Sequence, residues 1–140
     1  MLIVCDKDYK VSGKLKIREE QDPYPNDEEV LIKVKSFGIN RPDLLQKKGL
    51  YPPPASASKI LGLECSGFVE KTGKKVTGMK EGDKVCALTA GGAYAEKVSV
   101  HQWHCFNIPK NLGFSEAAVL PEVFMTCWTN IFELGILKQG

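Results

Sequence analysis

The 140-residue chain has no Cys-x-x-Cys pair, no Gly-x-Gly-x-x-Gly, no Asn-x-Ser/Thr sequon and only two histidines. None of its apolar runs approaches the roughly 18 residues that a membrane span needs. The start, Met1-Leu2-Ile3-Val4-Cys5-Asp6, lacks a basic flank and meets an acid too early for a signal peptide. A surplus of one charge is missing too: 19 basic and 17 acidic residues leave +2, which argues against a nucleic-acid platform. The five cysteines are odd in number and widely spaced. That spacing excludes a four-thiolate zinc site, argues against a secreted disulfide scaffold, and predicts reduced, mostly buried thiols. With 43% apolar and 26% charged residues, neither a disordered nor a fibrous chain fits. The expectation is one soluble cytoplasmic domain, with no nucleic-acid or membrane partner.

What is present is a run of short strands punctuated by Gly and Pro. Met1 to Cys5 reads as an edge strand, followed by a turn at Asp6-Lys7-Asp8. Gly13 separates Tyr9-Lys10-Val11 from Leu15-Lys16-Ile17, which alternates with a strand period. Asp22 to Asp27 is loop because of its two prolines. Glu29 to Ser36 alternates cleanly, with Val30, Ile32 and Val34 on one face and Leu31, Lys33 and Lys35 on the other. A short helix is predicted over Pro42 to Lys48, ended by Gly49, then a stiff loop at Tyr51-Pro52-Pro53-Pro54. Further strands are predicted at Glu64 to Thr72, Lys84 to Leu88 and Tyr94 to Val100, with turns at Gly73, Gly78, Gly82 and Gly91-Gly92. Such a series of short strands points to a closed or partly closed antiparallel barrel.

After Pro109 the pattern becomes helical. Ser115 is placed to cap a helix through Leu120. Pro121 restarts it, and a second helix runs from Glu122 to Leu134 with Gly135 as terminator. Phe124, Trp128 and Ile131 form one stripe of a helix that is apolar around most of its circumference. A small barrel covers only one side of such a helix, so exposed apolar surface and self-association are expected.

Known motifs of catalysis find little foothold. Gly62 to Gly67 has the gap of a phosphate loop, but Phe68-Val69 stands where Lys and Ser/Thr are needed. Both glycines read instead as strand-flanking turns. His101 and His104, beside Cys105, lack obvious further ligands and read as exposed loop histidines. No Gly-x-Ser-x-Gly nucleophile motif is present. The polar residues that remain are Asn40, Tyr51, Glu64, Glu122 and Thr126. Each has a structural alternative: Asn40 as a helix cap, Tyr51 packed on its prolines, Glu64 paired with a lysine or arginine, Thr126 bonded back to its own helix.

Taken in order, Gly38-Ile39-Asn40-Arg41-Pro42-Asp43, Gly49-Leu50-Tyr51-Pro52-Pro53-Pro54, Leu61-Gly62-Leu63-Glu64-Cys65-Ser66-Gly67, Gly82-Asp83-Lys84-Val85, Gly91-Gly92-Ala93-Tyr94-Ala95-Glu96 and Ala117-Ala118-Val119-Leu120-Pro121 form a specific series. The sequence resembles the N-terminal, GroES-like domain of zinc-independent quinone oxidoreductases in the medium-chain dehydrogenase/reductase superfamily, nearest the p53-inducible subgroup. The resemblance implies a mainly β fold: a GroES-like, partly open β-barrel with short helices over 1–114, then linker helices over 115–140 leading towards a Rossmann domain. It implies hydride transfer from NADPH to a quinone or another conjugated carbonyl. Asn40 and Thr126 would face the nicotinamide. Tyr51 and Leu63 would line the substrate slot, and Tyr51 is the candidate hydrogen-bond donor to the reduced oxygen, with no catalytic group certain. No zinc is expected: Asn40 and Leu63 stand where zinc-dependent relatives carry Cys and His, and Glu64 cannot hold a metal alone.

The resemblance also implies that the full-length enzyme is a homodimer and that this chain is a piece of a longer polypeptide, silent by itself and weak in NADPH binding. The competing expectation is a stand-alone GroES-like barrel that serves as an interaction module without enzymatic activity.

Overall fold

The computed structural model describes residues 1–5 and 14–138. The turn expected at Asp6-Lys7-Asp8 and the segment Tyr9-Lys10-Val11 lie outside the described residues. Alternating apolar residues form two antiparallel sheets. In the smaller, β1 (Leu2–Cys5) pairs with β2 (Lys16–Glu19), Leu2 opposite Glu19 and Cys5 opposite Lys16. The larger contains β3 (Glu29–Phe37), β4 (Glu64–Thr72), β5 (Lys84–Leu88), β6 (Lys97–His101) and β7 (Cys105–Asn107), in the order β6-β3-β4-β5-β7. The segment before β6 ties the sheets together. Ile3 bridges Ala95, Val4 N–H donates to the Tyr94 carbonyl at 2.8 Å, and Glu96 N–H donates to that of Leu2 at 2.9 Å. The result is a mainly β, partly open barrel.

The core follows the strand pattern with one correction. Val30 and Ile32 are fully buried, as the alternation predicts, but Leu31 is also buried. The β3–β4 register slips between Leu31 and Ile32, and such a bulge upsets strict alternation of the faces. A second slip lies between Val34 and Ser36, beside Gly67. Gly67 is therefore not a turn flanking a strand but an interior residue of β4. A Cβ there would overlap the Lys33 carbonyl, so the two strands approach closely only because it is glycine. Val69, Val85 and Ala87 complete the main core with the thiols of Cys65 and Cys105. All five cysteines are free, and all except Cys127 are buried.

Three short helices close the ends. α1 (Arg41–Lys47) begins with Asn40 at its N-cap position and Pro42 in its first turn. Ser115 does not cap the next helix: α2 (Phe114–Ala117) has Gly113 at the N-cap, and Ser115 lies inside the helix. The buried Ser66 hydroxyl donates to the Phe114 carbonyl at 2.6 Å, which fixes the start of α2 two positions earlier than expected. α3 (Pro121–Trp128) continues into a wider π turn, Thr129–Leu134. There Asn130 Nδ2 donates to the Thr126 carbonyl at 2.8 Å, beside the Thr129 backbone N–H that the same carbonyl accepts. Among the described residues no helix is long and apolar enough to cross a membrane.

Candidate functional site

Where α1, the start of β4 and the start of α3 converge, the chain buries two carboxylates, Asp43 and Glu64, each 1% exposed. Neither burial comes cheaply in a low-dielectric interior, so the partners matter. Glu64 Oε1 accepts from Asn40 Nδ2 at 2.8 Å, and Oε2 accepts from the Glu122 backbone N–H at 2.9 Å. The expected Lys or Arg partner is thus replaced by an amide and a helix-start N–H. That N–H has no partner within its own helix, which makes it a natural donor to an anion.

Asp43 Oδ2 accepts from the Asn40 backbone N–H at 2.7 Å and from the Tyr94 hydroxyl at 3.0 Å. Asp43 Oδ1 is buried and has no hydrogen-bond partner. Tyr94 packs against Phe37 with ring centroids 4.6 Å apart. Gly62, at φ +104°, lies so close that a Cβ would stand 2.5 Å from the Tyr94 ring. Asn40 therefore connects the two acids, Asp43 through its backbone and Glu64 through its side chain.

The acids also perturb their neighbours. Partial burial raises the Glu122 carboxyl above its ordinary range, and the charges of Glu64 and Asp43 raise it further. Burial pushes the Tyr94 phenol up, and the Asp43 charge and hydrogen bond add to it. The thiols near Glu64 are suppressed: desolvation raises Cys65 and Cys86 and pushes Cys105 up to about 12. None of these three is a ready nucleophile or metal ligand at neutral pH.

In front of the network lies an open cleft of about 320 Å³, walled by Leu63, Leu88, Met125 and Thr126, with Glu122, Thr89, Ala90 and His104 at its edges. The fold thus brings Leu63 and Thr126 together. Asn40 stands behind the cleft, joined to Glu122 through Glu64. Tyr51 is about half exposed on its proline loop and is not among the cleft's lining residues. His101 accepts from the Trp103 N–H at 3.3 Å and heads a single 3₁₀ turn, Gln102–His104. Among the described residues no group of three or more His, Cys, Asp or Glu is arranged to hold a metal ion.

Sequence reasoning passed over Asp43 and Tyr94, although both stand in the motifs it quoted. The available signal was an acid two residues into a helix whose N-cap is polar, a position where it can turn back onto the cap's N–H.

An antiparallel β domain with a carboxylate network buried behind an open, largely apolar cleft is the class these features define. The chain belongs to the alcohol dehydrogenase GroES-like domain family, whose model matches residues 26–110, and so to the medium-chain dehydrogenase/reductase superfamily. The synaptic vesicle membrane protein VAT-1 homolog-like of Mus musculus is 38% identical over 128 residues, covering 91% of this chain and 31% of that protein. The crystal structure of the human VAT-1 homolog-like protein superposes with a TM-score of 0.87 at 35% identity, over 100% of this chain and 46% of that one. The Escherichia coli quinone oxidoreductase in complex with NADPH superposes with a TM-score of 0.80 at 28% identity, over 95% of this chain and 40% of that one.

Proposed function

We propose that this chain is the substrate-side domain of an NADPH-dependent oxidoreductase that reduces a quinone or another conjugated carbonyl without zinc. The domain proper would cover 1–114 and the linker helices 115–140. The observation that carries the reading is the cleft itself, an apolar slot walled by Leu63, Leu88 and Met125, with the hydroxyls of Thr126 and Thr89, the Glu122 carboxyl and the His104 ring at its edges. A flat, uncharged ring suits these apolar walls, whereas an anionic substrate would lose hydration beside the Glu122 carboxyl. The similarity to a quinone oxidoreductase that binds NADPH supports the same reading.

The residues fit the nicotinamide end of a dinucleotide better than they fit a metal. Leu63 offers no donor atom, and both Glu64 oxygens are already engaged, by the Asn40 side-chain amide and the Glu122 N–H. Thr126 presents an exposed hydroxyl to a neutral amide, and Leu63 presents a flat apolar wall. A bound nicotinamide dinucleotide supplies the hydride. The chain's own part is to place the acceptor ring, exclude water from one of its faces, and keep Asn40 and Glu122 fixed through Glu64. Tyr51 would reach the reduced oxygen only if its loop turned inward.

Tetramethylbenzoquinone titrated into the isotope-labelled chain tests this reading. The expected result is saturable movement of the Leu63 and Thr126 methyl resonances, with core methyls such as Val69 unmoved. Silence at Leu63 and Thr126 would remove the cleft as a quinone slot. In an enzyme that includes this domain, loss of quinone turnover in Tyr51→Phe would give Tyr51 its role, and unchanged turnover would end it.

A further inference from the structure

The proposed slot sits at the low end of the range for small-molecule sites, roughly 300–1,000 Å³. It has room for a ring but not for a ring and a chain. A second cavity of about 500 Å³ adjoins it, and the two share Thr89, Ala90 and His104. These three residues form the wall between them, and it is a low one, because Ala90 and His104 are exposed.

The chemistry of the second cavity is distinctive. Its cations are already paired with carboxylates. Lys97 Nζ lies 2.7 Å from Asp22 and 2.8 Å from Glu70, and the Met1 ammonium lies 3.0 Å from Asp22. Glu29 Oε2 accepts from the Asn26 N–H at 2.9 Å and from the Ser99 hydroxyl at 2.8 Å. What else faces the space is polar: the hydroxyls of Ser56 and Ser58 and the rings of His101 and His104. Ser58 Oγ accepts from the Ile60 N–H at 3.1 Å and so keeps its own proton to donate. One side is bare backbone at Gly91-Gly92, where a Cβ on Gly91 would come within 2.7 Å of the Ser58 carbonyl.

We propose that the second cavity receives the tail of an elongated substrate whose reducible ring or enone lies in the first cleft. This rests on the reading of that cleft as the substrate slot. The tail crosses the wall at Ala90 and His104. It carries hydroxyl or amide groups and no negative charge, since Lys97 and the Met1 ammonium are already committed to Asp22 and Glu70, and a plain alkyl tail would leave the serine and imidazole groups unpaired. The wall thereby sets specificity: compact acceptors use one cleft, tailed acceptors use both.

Three quinones separate the possibilities when titrated into the labelled chain: tetramethylbenzoquinone, a dimethoxy-methyl-benzoquinone with a decyl chain, and the same quinone with a terminal hydroxyl on that chain. All three should move Leu63 and Thr126. Only the hydroxyl-ended one should also move the Ser58 and Ser99 amides and the His101 ring, and it should bind about fivefold tighter than its plain decyl twin, as one net hydrogen bond predicts. Ser56→Trp and Ser58→Trp, both at exposed positions of the second cavity, should each abolish that advantage and leave tetramethylbenzoquinone binding unchanged.

The proposal is overturned if the tailed quinones move Leu63 and Thr126 but never Ser58, Ser99 or His101. It is equally overturned if both Trp variants keep the fivefold preference. If tetramethylbenzoquinone fails to move Leu63 and Thr126, the reading of the first cleft falls, and this one with it.

Discussion

Asp43 holds the most demanding position in the molecule. It is buried, one carboxylate oxygen accepts two hydrogen bonds, and the other accepts none. No basic side chain bonds to it among the described residues, so its stability in that place depends on the Asn40 N–H and the Tyr94 hydroxyl. Removing a donor from a buried carboxylate costs more than a surface hydrogen bond is worth, because the anion cannot recover its hydration. Tyr94→Phe keeps the ring stacked on Phe37 and deletes only the hydroxyl. It should lower the unfolding free energy by about 1–3 kcal/mol, read as a lower urea midpoint at unchanged slope. A midpoint equal to that of the parent chain would show that the phenol contributes packing alone. None of this was legible beforehand, because burial of an acid is a tertiary fact. The sequence puts Asp43 in a helix's first turn, where most acids stay in water, and does not show that Tyr94, 51 residues away, folds over it.

At the scale of elements, legibility tracked the strength of local pattern. β4 and β5 have the bounds expected from alternation and flanking turns, and α1 is shifted by one residue from its prediction. The strand expected from Tyr94 begins at Lys97 instead, because residues 94–96 turn to bond with β1, although the Glu96 carbonyl still accepts from the Val34 N–H of β3 at 2.8 Å. β7 is three residues long and has no period to detect. The joint between Glu64 and the start of α3 was equally hidden, and it has a measurable consequence. Glu122 stands in the first turn of α3, where the helix dipole favours an anion, yet burial and the two neighbouring acids outweigh that and raise its carboxyl. The folded chain therefore holds the Glu122 proton more tightly than the unfolded chain does. Below the ordinary glutamate range both states are protonated and the site costs nothing. As pH rises from that range to the raised value, the unfolded chain gives up the proton first, and stability falls until both states are ionised. Glu122→Gln should then be more stable than the parent near pH 7 and equal to it near pH 4. Urea melts at the two pH values measure this, and a gain of equal size at both would remove the ionisation argument.

For the molecule as a whole, stability and exposed apolar surface lie in different places. The buried side chains belong to the strands and to the segment that ties the two sheets together. The large exposed ones crowd into the last helical arm, where Phe124 is 64% exposed, Trp128 58% and Ile131 43%. The stripe read from helical spacing is thus present on the surface, as that spacing implied. Among the described residues Trp128 finds an aromatic neighbour only in Phe132 of the same arm, at 4.7 Å between ring centroids. A contiguous apolar face of this kind favours association over solvation, and each buried aromatic adds a large area to the contact. The chain should sediment with a weight-average mass that rises with concentration. The double variant Phe124→Lys, Trp128→Lys should sediment as a monomer across the same range. Because neither side chain belongs to the core, its urea midpoint should correspond to a change within about 0.5 kcal/mol. Loss of association together with loss of stability would place the arm in the folding core. Retained association in the double variant would move the contact to another face, and the apolar edge formed by Leu2 and Ile17 on the smaller sheet is the next one exposed.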